Sequence, residues 1–154
     1  MQKVLLAFGS NLGDRQLMLE TAWSDLTAMP NIETVKISRF YETKPVGGPP
    51  KQRDYLNAAA LVRTHLKPQI LLECLQEIER RHGRVRSERW GSRTLDIDIL
   101  LYGDLIVRTP TLIVPHPEMM LRRFVLEPAA EIAAEMVLPT TGITVAEALV
   151  RLKV

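Results

Sequence analysis

The chain has 154 residues and 17.4 kDa, with 46% hydrophobic, 25% charged and 5% aromatic residues, an ordinary globular composition that predicts one domain, residues 1–154, with a core needing no staples. The single cysteine, Cys74, excludes an intramolecular disulfide framework and is read as structural. No apolar run reaches the roughly 20 residues of a membrane helix, the N-terminal apolar stretch is too short for a signal peptide, and a net charge of +2 is not that of a nucleic-acid wrapper, so a soluble cytoplasmic protein without a membrane or nucleic-acid partner is expected.

In chain order, Lys3 to Gly9 is a short apolar run ending in Gly-Ser-Asn, which predicts a buried strand. From about Asp14 to Met29, the residues Leu19, Ala22, Trp23, Leu26 and Met29 recur at helical spacing, and Pro30 stops them. Ile32 to Thr43 is rich in β formers and alternates, predicting a strand, and Tyr55 to Arg63 alternates through Leu56, Ala58, Ala60 and Val62 as a second. Between them, Lys44-Pro45-Val46-Gly47-Gly48-Pro49-Pro50-Lys51 must be a loop, either a lid, a shaped binding edge or a plain connector. Pro68 opens a helix at its first turn, Leu71, Leu75 and Ile78 line one face, and Gly83 ends it. Leu95 to Tyr102 predicts another strand and Leu105 to Val107 a short one after the Gly103 turn. Pro128 to Met136 and Thr144 to Leu152 read as helices, the last with Thr144 and Glu147 at capping-box spacing. The core order β-α-β-β-α-β is that of the ferredoxin-like split unit, an α+β fold whose antiparallel sheet carries helices on one face, here followed by C-terminal helices.

The sharpest chemical feature is Leu95-Asp96-Ile97-Asp98-Ile99. In a strand, Asp96 and Asp98 share a face about 7 Å apart, with the apolar residues on the other. Paired carboxylates stay ionised only beside cations, and hard oxygens suit Mg²⁺ with substrate phosphates completing its shell. The alternative is a solvated polar face on an edge strand. Upstream, Arg80, Arg81, Arg84, Arg86, Arg89 and Arg93 fall within a fourteen-residue window opposed only by Glu88. Arginine favours planar, bidentate recognition of anions, although these side chains could equally be a solvated surface paired with Glu77, Glu79 and Glu88. The connection runs straight into the aspartate strand, so both signs of charge can converge on one cleft, as phosphoryl transfer requires. The segment Phe8 to Arg15 superficially suggests a phosphate loop, but it has no Walker ending and is read as a strand end and helix start with glycines for turn geometry. His116, held between Pro115 and Pro117, either donates to a phosphate or serves a backbone carbonyl; Arg122 could add to an anion site, and Phe124 offers a ring face. His65 and His82 have no companions at metal spacing, and Met119-Met120 is read as packing.

Taken together these segments resemble the 6-hydroxymethyl-7,8-dihydropterin pyrophosphokinase family of folate biosynthesis. The resemblance runs from Gly9–Asp14 through Phe40–Gly47, Gln52 and Tyr55–Asn57 to Gly83–Arg86 and Arg89–Gly103, and ends with Val114–Pro117, Arg122 and Phe124–Pro128. It implies a ferredoxin-like α/β sandwich that transfers the β,γ-pyrophosphoryl group of ATP to the pterin hydroxymethyl group, leaving AMP. By the same resemblance Asp96 and Asp98 hold Mg²⁺, two ions being expected, and Arg84 and Arg93 lie at the phosphates under transfer. Glu79, Ile99, His116 and Arg122 surround the nucleotide, and Trp90 sits on a loop that closes over the site. Thr43, Val46 and Gly47 belong to the loop that reads the pterin, Asn57 bonds its ring, and Tyr55 and Phe124 sandwich it. The implied partners are these two small molecules, and a monomer is expected. Arg123 adds a second charge before Phe124, and Lys44 stands between Thr43 and Pro45.

Two other readings use the same residues. Ferredoxin-like sheets also bind RNA through aromatics on the sheet face, but the central strands carry Ala58, Ala60, Leu95 and Ile97 there. A Mg²⁺-dependent phosphatase or nucleotidyl transferase would use the same aspartates and differ in its products.

Overall fold

Side chains of the three central strands alternate between two buried faces of the sheet. The computed structural model describes residues 1–45, 47–48, 50–83 and 95–152. Its elements in chain order are β1 (Gln2–Ser10), α1 (Arg15–Ala28), β2 (Ile32–Ile37), β3 (Tyr41–Thr43), β4 (Tyr55–Thr64) and α2 (Pro68–Arg81), then β5 (Asp96–Tyr102), β6 (Val107–Arg108), β7 (Ile113–Val114), a 3₁₀ turn (Met119–Leu121), α3 (Arg123–Ala133) and α4 (Val145–Arg151). The main sheet runs β2-β4-β1-β5, all antiparallel, with β3 also paired to β4. This is the ferredoxin-like order.

On one face Val4, Leu6 and Phe8 of β1, Ala58, Ala60 and Val62 of β4, and Ile97 and Ile99 of β5 pack against Leu19, Ala22 and Leu26 of α1 and Leu71, Leu75 and Ile78 of α2. Each large side chain sealed there stabilises the fold by about 1.5–3 kcal/mol. Asp14 caps α1, its side chain accepting the Leu17 N–H at 3.1 Å, and Pro68 opens α2 where its missing N–H costs nothing. On the other face Leu5, Ala59, Leu100 and Leu101 pack against Leu126, Ala129 and Ala133 of α3 and Val145 and Ala148 of α4. The register of β1 on β5 shifts there: Leu5 pairs with Leu101 and Leu6 with Ile99. The extra residue lets both Leu100 and Leu101 reach the α3–α4 side, as a β-bulge does.

The two helices of the split unit share one face as expected, and the C-terminal helices cover the other. Three element boundaries differ. The strand expected over Ile32–Thr43 is two, because the ladder breaks at Ser38-Arg39-Phe40: the Ser38 hydroxyl accepts the Ala59 N–H at 2.8 Å, and the Arg39 N–H turns away to Glu131 at 3.1 Å. The helix expected from Pro128 starts at Arg123 and carries Pro128 within it. The short strand expected at Leu105–Val107 is Val107–Arg108, paired with Ile113–Val114. The Thr144–Glu147 capping box forms as expected. Among the described residues no helix is long and apolar enough to cross a membrane.

Candidate active site

Where α3 begins, it leaves the end of its sheet face uncovered. The register lines up Asn57 of β4, Gly9 of β1 and Asp96 of β5 across that end, and Ala59, Ala7 and Asp98 in the next row. At 4.7–4.9 Å between strands, Asn57 and Asp96 stand about 10 Å apart. Between them the central strand carries no side chain. A Cβ on Gly9 would meet Asn57 Oδ1 at 3.3 Å and the Tyr55 ring at 3.6 Å, so this glycine is the floor of the cleft. The cleft is lined by Thr43, Lys44, Pro45, Tyr55, Asn57, Asp96, Asp98, Arg122 and Phe124, together with Ala7, Phe8, Gly9 and Val125. Asn57 Nδ2 donates to Thr43 Oγ1 at 2.5 Å, which orients the amide.

A second cleft lies beside the first and shares Asp98 with it. Its walls are Leu72, Ile99, Pro110, Thr111, Leu112, Ile113, His116 and Pro117. The His116 N–H donates to the Leu100 carbonyl at 3.0 Å, which ties the histidine to β5. The Glu118 N–H donates to His116 Nδ1 at 3.2 Å, so the neutral ring carries its proton on Nε2. Burial holds the imidazole below its ordinary value, against the pull of Asp98 and with help from Arg122, while Glu118 pulls upward. The result is a neutral donor beside Asp98. Arg122 is paired with Glu118, and its guanidinium stands 5.6 Å over the Phe124 ring.

The structure thus brings Thr43, Tyr55, Asn57, Phe124, Asp96, Asp98 and Arg122 to one cleft, and Ile99 and His116 to its neighbour. Glu79 is not among the residues lining either. It is buried under β5, where its carboxyl group accepts the Ile97 N–H at 2.8 Å and so fastens the strand that carries the aspartates. The Gly47 carbonyl is held by Gln52 Nε2 at 3.2 Å. Val46, Arg84, Trp90 and Arg93 fall outside the described residues. Lys44 lines the first cleft, whereas Arg123 faces Glu127 at 3.8 Å along α3.

Sequence reasoning missed what the Gly9–Asp14 segment does. Asn11 Nδ2 donates to Gln52 Oε1 and to the Arg53 carbonyl, both at 3.2 Å. Arg53 reaches the Gly13 carbonyl at 2.8 Å, and Arg15 reaches the Asp54 carbonyl at 2.8 Å and Glu42 at 2.7 Å. This segment is the anchor of the Gly- and Pro-rich loop that borders the cleft. The signal was the polar density of Asn11, Arg15, Gln52 and Arg53, which has no meaning until the two loops are adjacent.

Asp96 and Asp98 are the residues that could hold a metal. Asp98 is exposed and Asp96 half-buried, and among the described residues no group of three or more His, Cys, Asp or Glu converges. Two hard carboxylates opening onto a cleft fit Mg²⁺, which keeps waters and takes phosphate oxygens, and do not form an all-protein cage.

The ferredoxin-like sheet thus sets paired carboxylates where a cleft with two aromatic rings meets a cleft with a neutral imidazole donor, an arrangement that fits an enzyme acting on phosphates, a transferase among them. The family model for 7,8-dihydro-6-hydroxymethylpterin-pyrophosphokinase (HPPK) matches residues 5–134, and the chain belongs to that family. It is 46% identical over 138 residues to the 2-amino-4-hydroxy-6-hydroxymethyldihydropteridine pyrophosphokinase of Haemophilus influenzae, covering 90% of this chain and 86% of that one. It is 42% identical over 138 residues to the enzyme of the same name from Pseudomonas aeruginosa, covering 90% and 85%. Among solved structures it superimposes on an HPPK-DHPS in complex with substrates (TM-score 0.74, 15% identity, 96% of this chain and 43% of that one). It also superimposes on Plasmodium falciparum HPPK-DHPS with pteroate (TM-score 0.76, 14% identity, 97% and 42%). At those identities the likeness is one of fold, and this chain spans under half the length of either.

Proposed function

We propose that residues 1–154 form one enzyme domain that transfers the β,γ-pyrophosphoryl group of ATP to the hydroxymethyl group of 6-hydroxymethyl-7,8-dihydropterin. Such an enzyme works as a cytoplasmic monomer on two small molecules. The observation that carries this reading is the row Asn57–Gly9–Asp96, with Asp98 shared between two clefts. One cleft suits a flat polar ring, the other a nucleotide, and the carboxylates stand where the two meet.

In the first cleft Tyr55 and Phe124 offer faces to the pterin, and the Asn57 amide supplies both a donor and an acceptor to its ring edge. Thr43, Val46 and Gly47 contribute the loop side of the slot. In the second cleft Leu72, Ile99, Leu112 and Pro117 give apolar surface to the base. His116 donates from Nε2 to a phosphate oxygen, and Arg122 adds positive charge at the junction. Arg84 and Arg93 neutralise the group under transfer, and Trp90 helps exclude water. Asp96 and Asp98 hold two Mg²⁺ ions, which when bound supply charge neutralisation on the phosphoryl oxygens.

The new bond joins the hydroxymethyl oxygen to the β-phosphorus as the bond from that phosphorus to the α,β-bridging oxygen breaks. AMP leaves with the bridging oxygen, and the alcohol proton passes to solvent. The site contributes positioning and electrostatics, which suffice for this class of reaction.

The test is to incubate the purified chain with ATP, Mg²⁺ and the dihydropterin and to separate the nucleotides. AMP should appear only with the pterin present and match the pterin pyrophosphate formed. ADP as product, or AMP formed without the pterin, would overturn the assignment of the acceptor.

A further inference from the structure

The bend that interrupts the edge of the sheet is fastened to a helix on the far side of the cleft. Glu131, on α3, accepts the Tyr41 hydroxyl at 2.5 Å, the Arg39 N–H at 3.1 Å and Arg39 Nε at 3.3 Å. The Arg39 side chain is 78% exposed and that of Glu131 27%, so the guanidinium adds little. The Tyr41 hydroxyl and the Arg39 backbone do most of the holding, through charge-assisted hydrogen bonds. Burial works to raise the Glu131 carboxyl, and these donors together outweigh it and keep it ionised.

What this clamp joins is the two sides of the pterin slot. Tyr41 pairs in register with Asn57, and Thr43, at the other end of the same three-residue strand, pairs with Tyr55. Glu131 lies two turns along α3 from Phe124. The slot therefore has Asn57, Thr43 and Tyr55 on its sheet side and Phe124 on its helix side, and among the described residues no backbone ladder spans the gap.

We propose that Glu131 is a positioning residue that sets the spacing of this slot, by clamping β3 to α3 through Tyr41 and the Arg39 backbone. The inference rests on reading the first cleft as the pterin site. It assigns Glu131 no contact with either substrate. Its loss should let the β3 edge drift from α3, weakening ring stacking and leaving the nucleotide cleft unaltered.

The test compares the parent protein with Glu131→Gln, Glu131→Ala and Tyr41→Phe. Pterin and a non-hydrolysable ATP analogue with Mg²⁺ are titrated separately by calorimetry, and KM for each substrate is measured alongside. Glu131→Ala should weaken pterin binding about tenfold, and Tyr41→Phe and Glu131→Gln by less, since each keeps part of the clamp. Affinity for the ATP analogue should stay within about twofold in all three. A purely structural role would lower the melting temperature and move both affinities together, or neither, and that result overturns the proposal. If Glu131→Ala does not fold, Tyr41→Phe and Glu131→Gln carry the same test. Failure of the parent to bind pterin would instead overturn the reading of the cleft, and the clamp's role with it.

Discussion

The two faces of the same three strands are treated differently. On the α1–α2 face every inward position at the cleft end is filled: Phe8, Ala58 and Ile97 are buried in continuous core. On the α3–α4 face the residues one step along the chain are Gly9, Asn57, Asp96 and Asp98, and the covering helix starts too late to bury them. A period-2 backbone thus lets one short segment seal a core and present a reaction site at once. A rigid, packed back also supports the precision that a phosphoryl-transfer site needs.

The difference can be tested from both sides. Asp98→Ala and Asp96→Ala should each cut turnover by about two to three orders of magnitude or more. Asp98→Ala should leave the melting temperature close to the parent value, because that carboxylate is exposed. Near-normal turnover in both variants would remove the metal role from this face. On the sealed face, Phe8→Ala should cost about 3–5 kcal/mol in chemical denaturation, and because Phe8 also borders the first cleft the protein that remains folded should show only a small rise in pterin KM. Gly9→Ala, one residue along, should invert that pattern. Its stability changes little, and pterin affinity falls about tenfold, because the new Cβ meets Asn57 Oδ1 at 3.3 Å and the amide must give by a few tenths of an ångström. Equal affinity in parent and variant would mean that the floor yields.

A smaller effect concerns pH. Burial depresses His116 in the folded protein, so the unfolded chain binds this proton more readily and folding stability must fall as pH drops through the unfolded value. His116→Gln lacks that penalty. In metal-free protein, denaturant melts taken from about pH 7.5 down to about pH 5.5 should show stability shifting in favour of the variant. A gap independent of pH would mean that the ring protonates equally well in both states.

Local signals were enough for much of this. Alternation through Leu95–Ile99 placed the two aspartates on one face, and the capping box at Thr144 and the stops at Pro30 and Gly83 set helix ends. The strand break at Ser38–Phe40 was illegible because its cause is a carboxylate 92 positions away, Glu131. The helix start at Arg123 was hidden by Pro128, which reads as a helix opening when its surroundings are unknown. At the site, the type of each residue was readable and its neighbours were not. Gly9 looked like a turn glycine and is a floor, and Glu79, which the resemblance sets beside the nucleotide, also holds the Ile97 N–H of the aspartate strand.

That last residue has a consequence for the company the protein can keep. Among the described residues of the main sheet β5 pairs with β1 alone, so its other margin is where another chain's strand could add itself. Exposed margins of this kind invite aggregation. The Ile97 N–H on that margin is already spent on the buried Glu79 carboxylate. An incoming strand would have to displace the buried Glu79 side chain from that donor. The bond that steadies the aspartate strand for chemistry therefore also makes it a poor template for fibril growth.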